Sequence, residues 1–142
     1  MSFRRSLSLP IILAIVMSAL LGVLSVGWVL LNVIGNAFQA LQDGGRLGVE
    51  VQSAPDSAVS IAVSDTGCGI PPALREKVFE PFFTTKREGR GTGLGLAISH
   101  GIVRRLGGTL TLASVVGQGS TFTITLPRGP EPEGTDEAPA GG

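Results

Sequence analysis

The sequence predicts an α+β chain in which one long apolar helix leads into a small mixed domain. Three observations carry this reading. Leu9 to Leu31 holds no charged residue over a length that can cross a bilayer as a helix. Four short segments between Leu47 and Leu126 alternate apolar and polar residues, the period of half-buried strands. Leu94 to Leu106 instead spaces Leu94, Ala97, Ile98, Ile102, Val103 and Leu106 along one helical face.

The elements follow in order. Arg4 and Arg5 precede the apolar run, and Trp28 sits near its far end, where interfacial aromatics lie. A cleaved signal peptide and a buried core helix are the competing readings. The run is long for a signal, and no clean small-x-small site ends it. It passes without a linker into Asn32 to Leu41, still at helical spacing, and Asp43-Gly44-Gly45 should stop that helix. Leu47 to Gln52 and Val59 to Ser64 form a hairpin or neighbouring strands around Ala54 to Ser57. Pro71 to Val78 is expected as a short helix with proline at its start. Thr84 to Gly95 is rich in glycine and charge, so a mobile loop is expected. Gly107-Gly108 should end the helix Leu94–Leu106. Thr109 to Ser114 and Ser120 to Leu126 complete the strands around Gly117-Gln118-Gly119. Residues 128–142 have almost nothing to bury and are expected as a disordered tail.

Bulk composition narrows the function classes. The chain has 142 residues, suited to one domain. Eleven basic residues balance eleven acidic ones, so no charge excess points to nucleic acid. Cys68 is the sole cysteine, which excludes an internal disulfide and fits a reducing compartment.

Four segments carry chemistry. Asn32 and Asn36, four apart on a helix, put two amides on one face. An amide oxygen suits Mg2+, which prefers oxygen ligands, although exposed polar positions on an amphipathic helix read the same way. In Asp65-Thr66-Gly67-Cys68-Gly69-Ile70, a carboxylate at a strand end can accept from an exocyclic amine. Gly67 and Gly69 permit a tight turn and close approach of a ligand. An ordinary Asp-Thr-Gly turn, with Cys68 as a small filler, is the plain alternative. In Phe79-Glu80-Pro81-Phe82-Phe83-Thr84-Thr85-Lys86, the three Phe would anchor a loop on the core, and Lys86 could meet phosphate as a point charge. Gly89-Arg90-Gly91-Thr92-Gly93-Leu94-Gly95-Leu96 opens a helix, where successive N–H groups form an anion site. It is neither a Walker A sequence nor a Rossmann fingerprint.

Taken in order, these segments resemble the N, G1, F and G2 boxes of the histidine kinase ATPase domain, in the superfamily that includes gyrase and MutL. Gly117 to Phe122, with Leu126-Pro127, resembles the end of that domain. The resemblance covers residues 29–127, after a membrane-helix segment at 1–28. It implies a two-layer α/β sandwich, the Bergerat ATP-binding fold, incomplete at its N-terminal side, with ATP and Mg2+ as ligands. By resemblance, Asn36 is the Mg2+ ligand and Asn32 its partner one turn earlier. In ATP-hydrolysing relatives a water-activating glutamate stands at the position of Asn32. An amide cannot act as a general base, so no catalytic residue is assigned beyond Asn32 as a candidate. Asp65 matches the adenine-reading carboxylate, and Gly67 and Gly69 its turn. Lys86 and Arg90 match lid contacts to phosphate. Gly91, Gly93 and Gly95, with Thr92 and Leu94 between them, match the phosphate cradle. Ser120 falls near the adenine.

The resemblance also implies partners. An intact kinase carries a dimerising hairpin with a phosphoacceptor histidine before this domain. The sole histidine here, His100, falls after the glycine-rich segment and is expected as a helix-surface residue. The chain is therefore expected to act with a histidine-containing dimerisation domain in trans and a response regulator. A non-catalytic nucleotide-binding or interaction fragment is the alternative. A Ser/Thr kinase of the anti-sigma type shares the fold. The expected location is the bacterial inner membrane, held by residues 9–31, with the ATPase domain in the cytoplasm. Arg4 and Arg5, with no basic residue between them and Arg46, favour the opposite orientation.

Overall fold

The apolar run and the asparagine-bearing segment form one uninterrupted 32-residue helix, α1, Leu9–Ala40. The computed structural model describes residues 8–42, 44–86 and 91–129. Arg4 and Arg5, Asp43 of the expected helix stop, Arg90 of the expected phosphate contacts, and residues 130–142 of the expected tail lie outside the described residues.

The helix α1 has two different environments. Every residue from Leu9 to Leu21 is exposed. From Val29 onward a stripe spaced by four residues, Val29, Val33 and Ala37, is fully buried. That spacing is one helix face, and it packs against the rest of the domain. At Val29, one face of the last turn of the apolar run Leu9–Leu31 thus joins the protein core.

Four strands follow: β1 (Leu47–Ser53), β2 (Val59–Asp65), β3 (Thr109–Val115) and β4 (Gly119–Leu126). They form one antiparallel sheet in the order β1-β2-β4-β3. Alternation along β4 sends Phe122 and Ile124 into the core, where Val63 of β2 and Leu110 of β3 join them. A second helix, α2 (Gly95–Arg105), packs on α1 and β3, while α1 reaches β2 and β4. The result is two layers, helices over sheet, with the core between them.

The end of α2 follows its sequence. Gly107 has φ +78, the left-handed conformation that lets the chain turn away. Its N–H donates to Arg104 O at 3.0 Å and that of Gly108 to Val103 O at 2.9 Å, closing the open carbonyls.

The segment expected as one helix at Pro71–Val78 is different. It forms two separate 3-10 turns, Pro72–Leu74 and Lys77–Phe79. Its bonds run three residues apart, from Leu74 to Pro71 and from Glu80 to Lys77. A segment this short does not offset the cost of nucleating an α-helix. Insertion of Phe79 against the core, edge-on to Phe122 at 6.4 Å, instead sets its path.

Candidate functional site

The sheet and the two helices leave a cleft of about 1270 Å3 between α1, the turn after β2 and the glycine-rich segment before α2. Asn32, Asn36, Asp65, Gly69, Lys86, Gly91, Thr92, Gly93, Gly95 and Ser120 all line it. Residues spread along the sequence from Asn32 to Ser120 therefore converge on one concave surface. Gly67 and Leu94 do not line it. Leu94 caps α2, its N–H held by Thr92 Oγ1 at 3.3 Å.

From the sheet, Asp65 and Ser120 line the cleft, with Ser114 behind them. Ser114 of β3, Ser120 of β4 and Asp65 of β2 are direct cross-strand partners in one row. All three are buried, a polar end to an otherwise apolar face. Asp65 accepts the N–H of Gly67 at 2.8 Å, which folds the chain back immediately after the strand. That turn lies directly against α1. A Cβ on Gly67 would stand 2.5 Å from the carbonyl oxygen of Ala40. Gly67 thus gives the helix room, and Gly69, with φ +72, gives room to Val115.

The helical wall is set by close packing. Asn32 donates through Nδ2 to Trp28 O at 2.9 Å within α1. Its Oδ1 faces Gly95, where a Cβ would stand 2.6 Å away. Gly95 accordingly lets α2 approach α1 over the asparagine. Lys86 brings its ammonium to 3.5 Å from Asn36 Oδ1. That amide oxygen is thus open to the cleft and within reach of a cation.

The aromatic segment divides its roles. Phe79 packs on the core and against His100 at 5.3 Å, and Phe83 is half-buried along the cleft. Phe82, expected as a third anchor, is 76% exposed. The cause is its backbone: φ is +65, and its N–H donates to Gly93 O at 2.9 Å. A Cβ on Gly93 would stand 2.5 Å from the Phe82 backbone. This pairing clasps the two ends of the loop and turns the Phe82 ring outward. Of the expected mobile loop, residues 87–90 lie outside the described residues. His100 is half-buried beside Phe79 and does not line the cleft.

A family model described as histidine kinase-, DNA gyrase B- and HSP90-like ATPase matches residues 23–130. The chain belongs to this family. Within the ATPase family it is similar to sensor kinases. It is 42% identical over 125 residues to the sensor kinase CckA of Brucella abortus, spanning 78% of this chain and 13% of that one. It is 45% identical over 103 residues to the signal transduction histidine-protein kinase AtoS of Escherichia coli, spanning 72% and 17%. Among solved structures, the mycobacterial sensor histidine kinase MprB superposes with a TM-score of 0.65 at 36% identity, covering 72% of this chain and 70% of that one. Full-length ShkA in complex with AMPPNP gives a TM-score of 0.66 at 32% identity, covering 72% and 21%. The two-layer sandwich is thus the ATPase fold of sensor histidine kinases. The chain spans less than a fifth of the length of CckA or AtoS.

Ser114 stands behind the cleft, and no sequence motif marks it. It accepts the N–H of Ile70 at 2.7 Å, tying the turn after β2 to β3. Its trace is present in the alternation. Leu110 and Leu112 mark the inward face of β3, and Ser114 is the next inward position.

Proposed function

We propose that residues 29–127 bind Mg-ATP and present its γ-phosphate to a histidine on another polypeptide, as the catalytic half of a two-component sensor histidine kinase. Residues 1–28 form the membrane segment in this reading, and 128–142 a tail. The observation that carries it is the convergence of Asn36, Asp65, Lys86 and the glycine-rich segment on one cleft. Asp65 accepts from the exocyclic amine of adenine. The backbone N–H groups of the segment Gly91 to Gly95 face the phosphates at the start of α2. Lys86 offers a mobile positive charge.

Mg2+ fits the donor set. No cluster of three or more His, Cys, Asp or Glu side chains that could cage a metal exists among the described residues. Mg2+ is commonly held by one or two protein oxygens together with phosphates and water. Asn36 Oδ1 supplies such an oxygen, and Lys86 beside it marks a place that attracts positive charge. When bound, the ion offsets the charge on the phosphates. In phosphoryl transfer the protein contributes mainly positioning and electrostatics, and Asn32, an amide, activates no water. That supports transfer to a protein acceptor over hydrolysis. His100, packed on Phe79 outside the cleft, supports an acceptor in trans. A response regulator would take the phosphoryl group onward. The exposed apolar half of α1 supports attachment to a bacterial inner membrane.

The test supplies labelled ATP and Mg2+ with a separate acceptor-hairpin domain from a related kinase. Label on the histidine of that domain is the expected result. Analogue binding without label would instead favour a non-catalytic nucleotide-binding fragment. Asp65→Asn should weaken ATP binding by about tenfold or more, since it exchanges a charged acceptor for an amide. Asn36→Ala should weaken binding only when Mg2+ is present. If neither change alters binding, the site assignment fails.

A further inference from the structure

We infer that Ser114 is a positioning residue that sets the hydrogen-bond polarity of the base subsite, making it selective for an amino over an oxo purine. This rests on the Mg-ATP reading above. Ser114 Oγ accepts the Ile70 N–H at 2.7 Å, donates to Gly119 O at 3.0 Å and lies 2.9 Å from Ser120 Oγ. A serine hydroxyl has one hydrogen and two lone pairs. With that hydrogen on Gly119 O, the bond between the two serines is donated by Ser120. Ser120 then has no hydrogen left, and it offers the cleft lone pairs alone.

Asp65 stands opposite Ser120 across the β2–β4 ladder. One carboxylate oxygen holds the Gly67 N–H, and the other has no protein partner among the described residues. Both residues are 6% exposed and Ser114 is 7% exposed, so little water is at hand to repair a mismatch. The subsite therefore presents two neighbouring acceptors and no side-chain donor from this row. An exocyclic amine brings two hydrogens to such a place. A carbonyl at the same ring position brings lone pairs to lone pairs. Ser114 reaches this discrimination through Ser120 and needs no contact with the base itself.

The test compares binding of ATP and inosine triphosphate to the full chain in detergent micelles with Mg2+, by calorimetry. The two ligands differ at the ring position that carries amine or carbonyl. Wild type should prefer ATP. Ser114→Ala frees the Ser120 hydroxyl to donate, and the ATP preference should fall by about tenfold. Ser114→Thr keeps a hydroxyl and should restore it. A purely structural Ser114 would lower both affinities by the same factor, leaving the ratio unchanged and overturning the inference. If Ser114→Ala does not fold, Ser120→Ala keeps the Ile70 and Gly119 bonds and must lower the same ratio. An unchanged ratio there also overturns it. Failure of wild type to bind either nucleotide would overturn the Mg-ATP reading itself, and this inference with it.

Discussion

Ser99 carries a hydroxyl that is fully buried in α2 and has no hydrogen-bond partner among the described residues. Such a group loses its water on folding and regains nothing for it. Ser99→Ala should therefore stabilise the fold by about 1 kcal/mol, adding better helix propensity to the removal of an unpaired polar group. Urea unfolding would show it, and an unchanged or lower midpoint would mean that the hydroxyl has a partner after all. Single residues are unevenly legible in the sequence. Asp65 and Asn36 stand out in the sequence because their chemistry is displayed in a motif, and both line the cleft. The glycines are harder. Gly67 and Gly95 are expected to make room for a ligand, and in the structure they make room for Ala40 and Asn32. No local pattern distinguishes these uses, since both ask only that a Cβ be missing. Phe82 misleads for a similar reason: an apolar residue between two other Phe gives no hint of φ +65.

Elements are read more securely where periodicity runs long. The four strands and α2 lie within one or two residues of their expected bounds, because burial of one face enforces the pattern. The Pro71–Val78 segment has too few residues for a period to register, and contacts of Phe79 decide its path. Two glycines, one inside α2 and one just past it, give a direct test of what makes this helix. Gly101 lies in mid-helix, and a Cβ there would meet nothing within 4 Å, whereas Gly107 holds the left-handed turn at φ +78. Gly101→Ala should raise stability by about 1 kcal/mol. Gly107→Ala should lower it by about 1 kcal/mol, since an L side chain is strained there. Opposite shifts in the unfolding midpoint are expected. Shifts of the same sign would show that the turn does not depend on glycine.

At the scale of the whole molecule, α1 is exposed along its outer half and buried on one face of its inner half. The stretch from Leu9 to Trp28, before the first fully buried residue, has the length of about 30 Å that a bilayer's hydrocarbon core requires. Alkaline carbonate extraction of cell membranes should leave the chain in the pellet, and its release into the supernatant would remove the membrane assignment. A reporter fused at Gly142 would show which side the domain occupies. The sequence discloses both halves of α1 but not where one environment yields to the other. Hydropathy continues through Val29 and Val33, and a buried valine facing protein reads like one facing lipid. The junction has a mechanical meaning. Trp28, the last residue before the buried stripe, shares a hydrogen bond with Asn32 of the cleft, and no break in α1 separates them. A continuous helix is stiff to twisting. A turn of about 20° in its outer half, carried along the shaft, would sweep side chains at its rim through about 2 Å. That distance separates a formed hydrogen bond from a broken one. The exposed half of α1 and the two asparagines of the cleft thus stand on one unbroken helix.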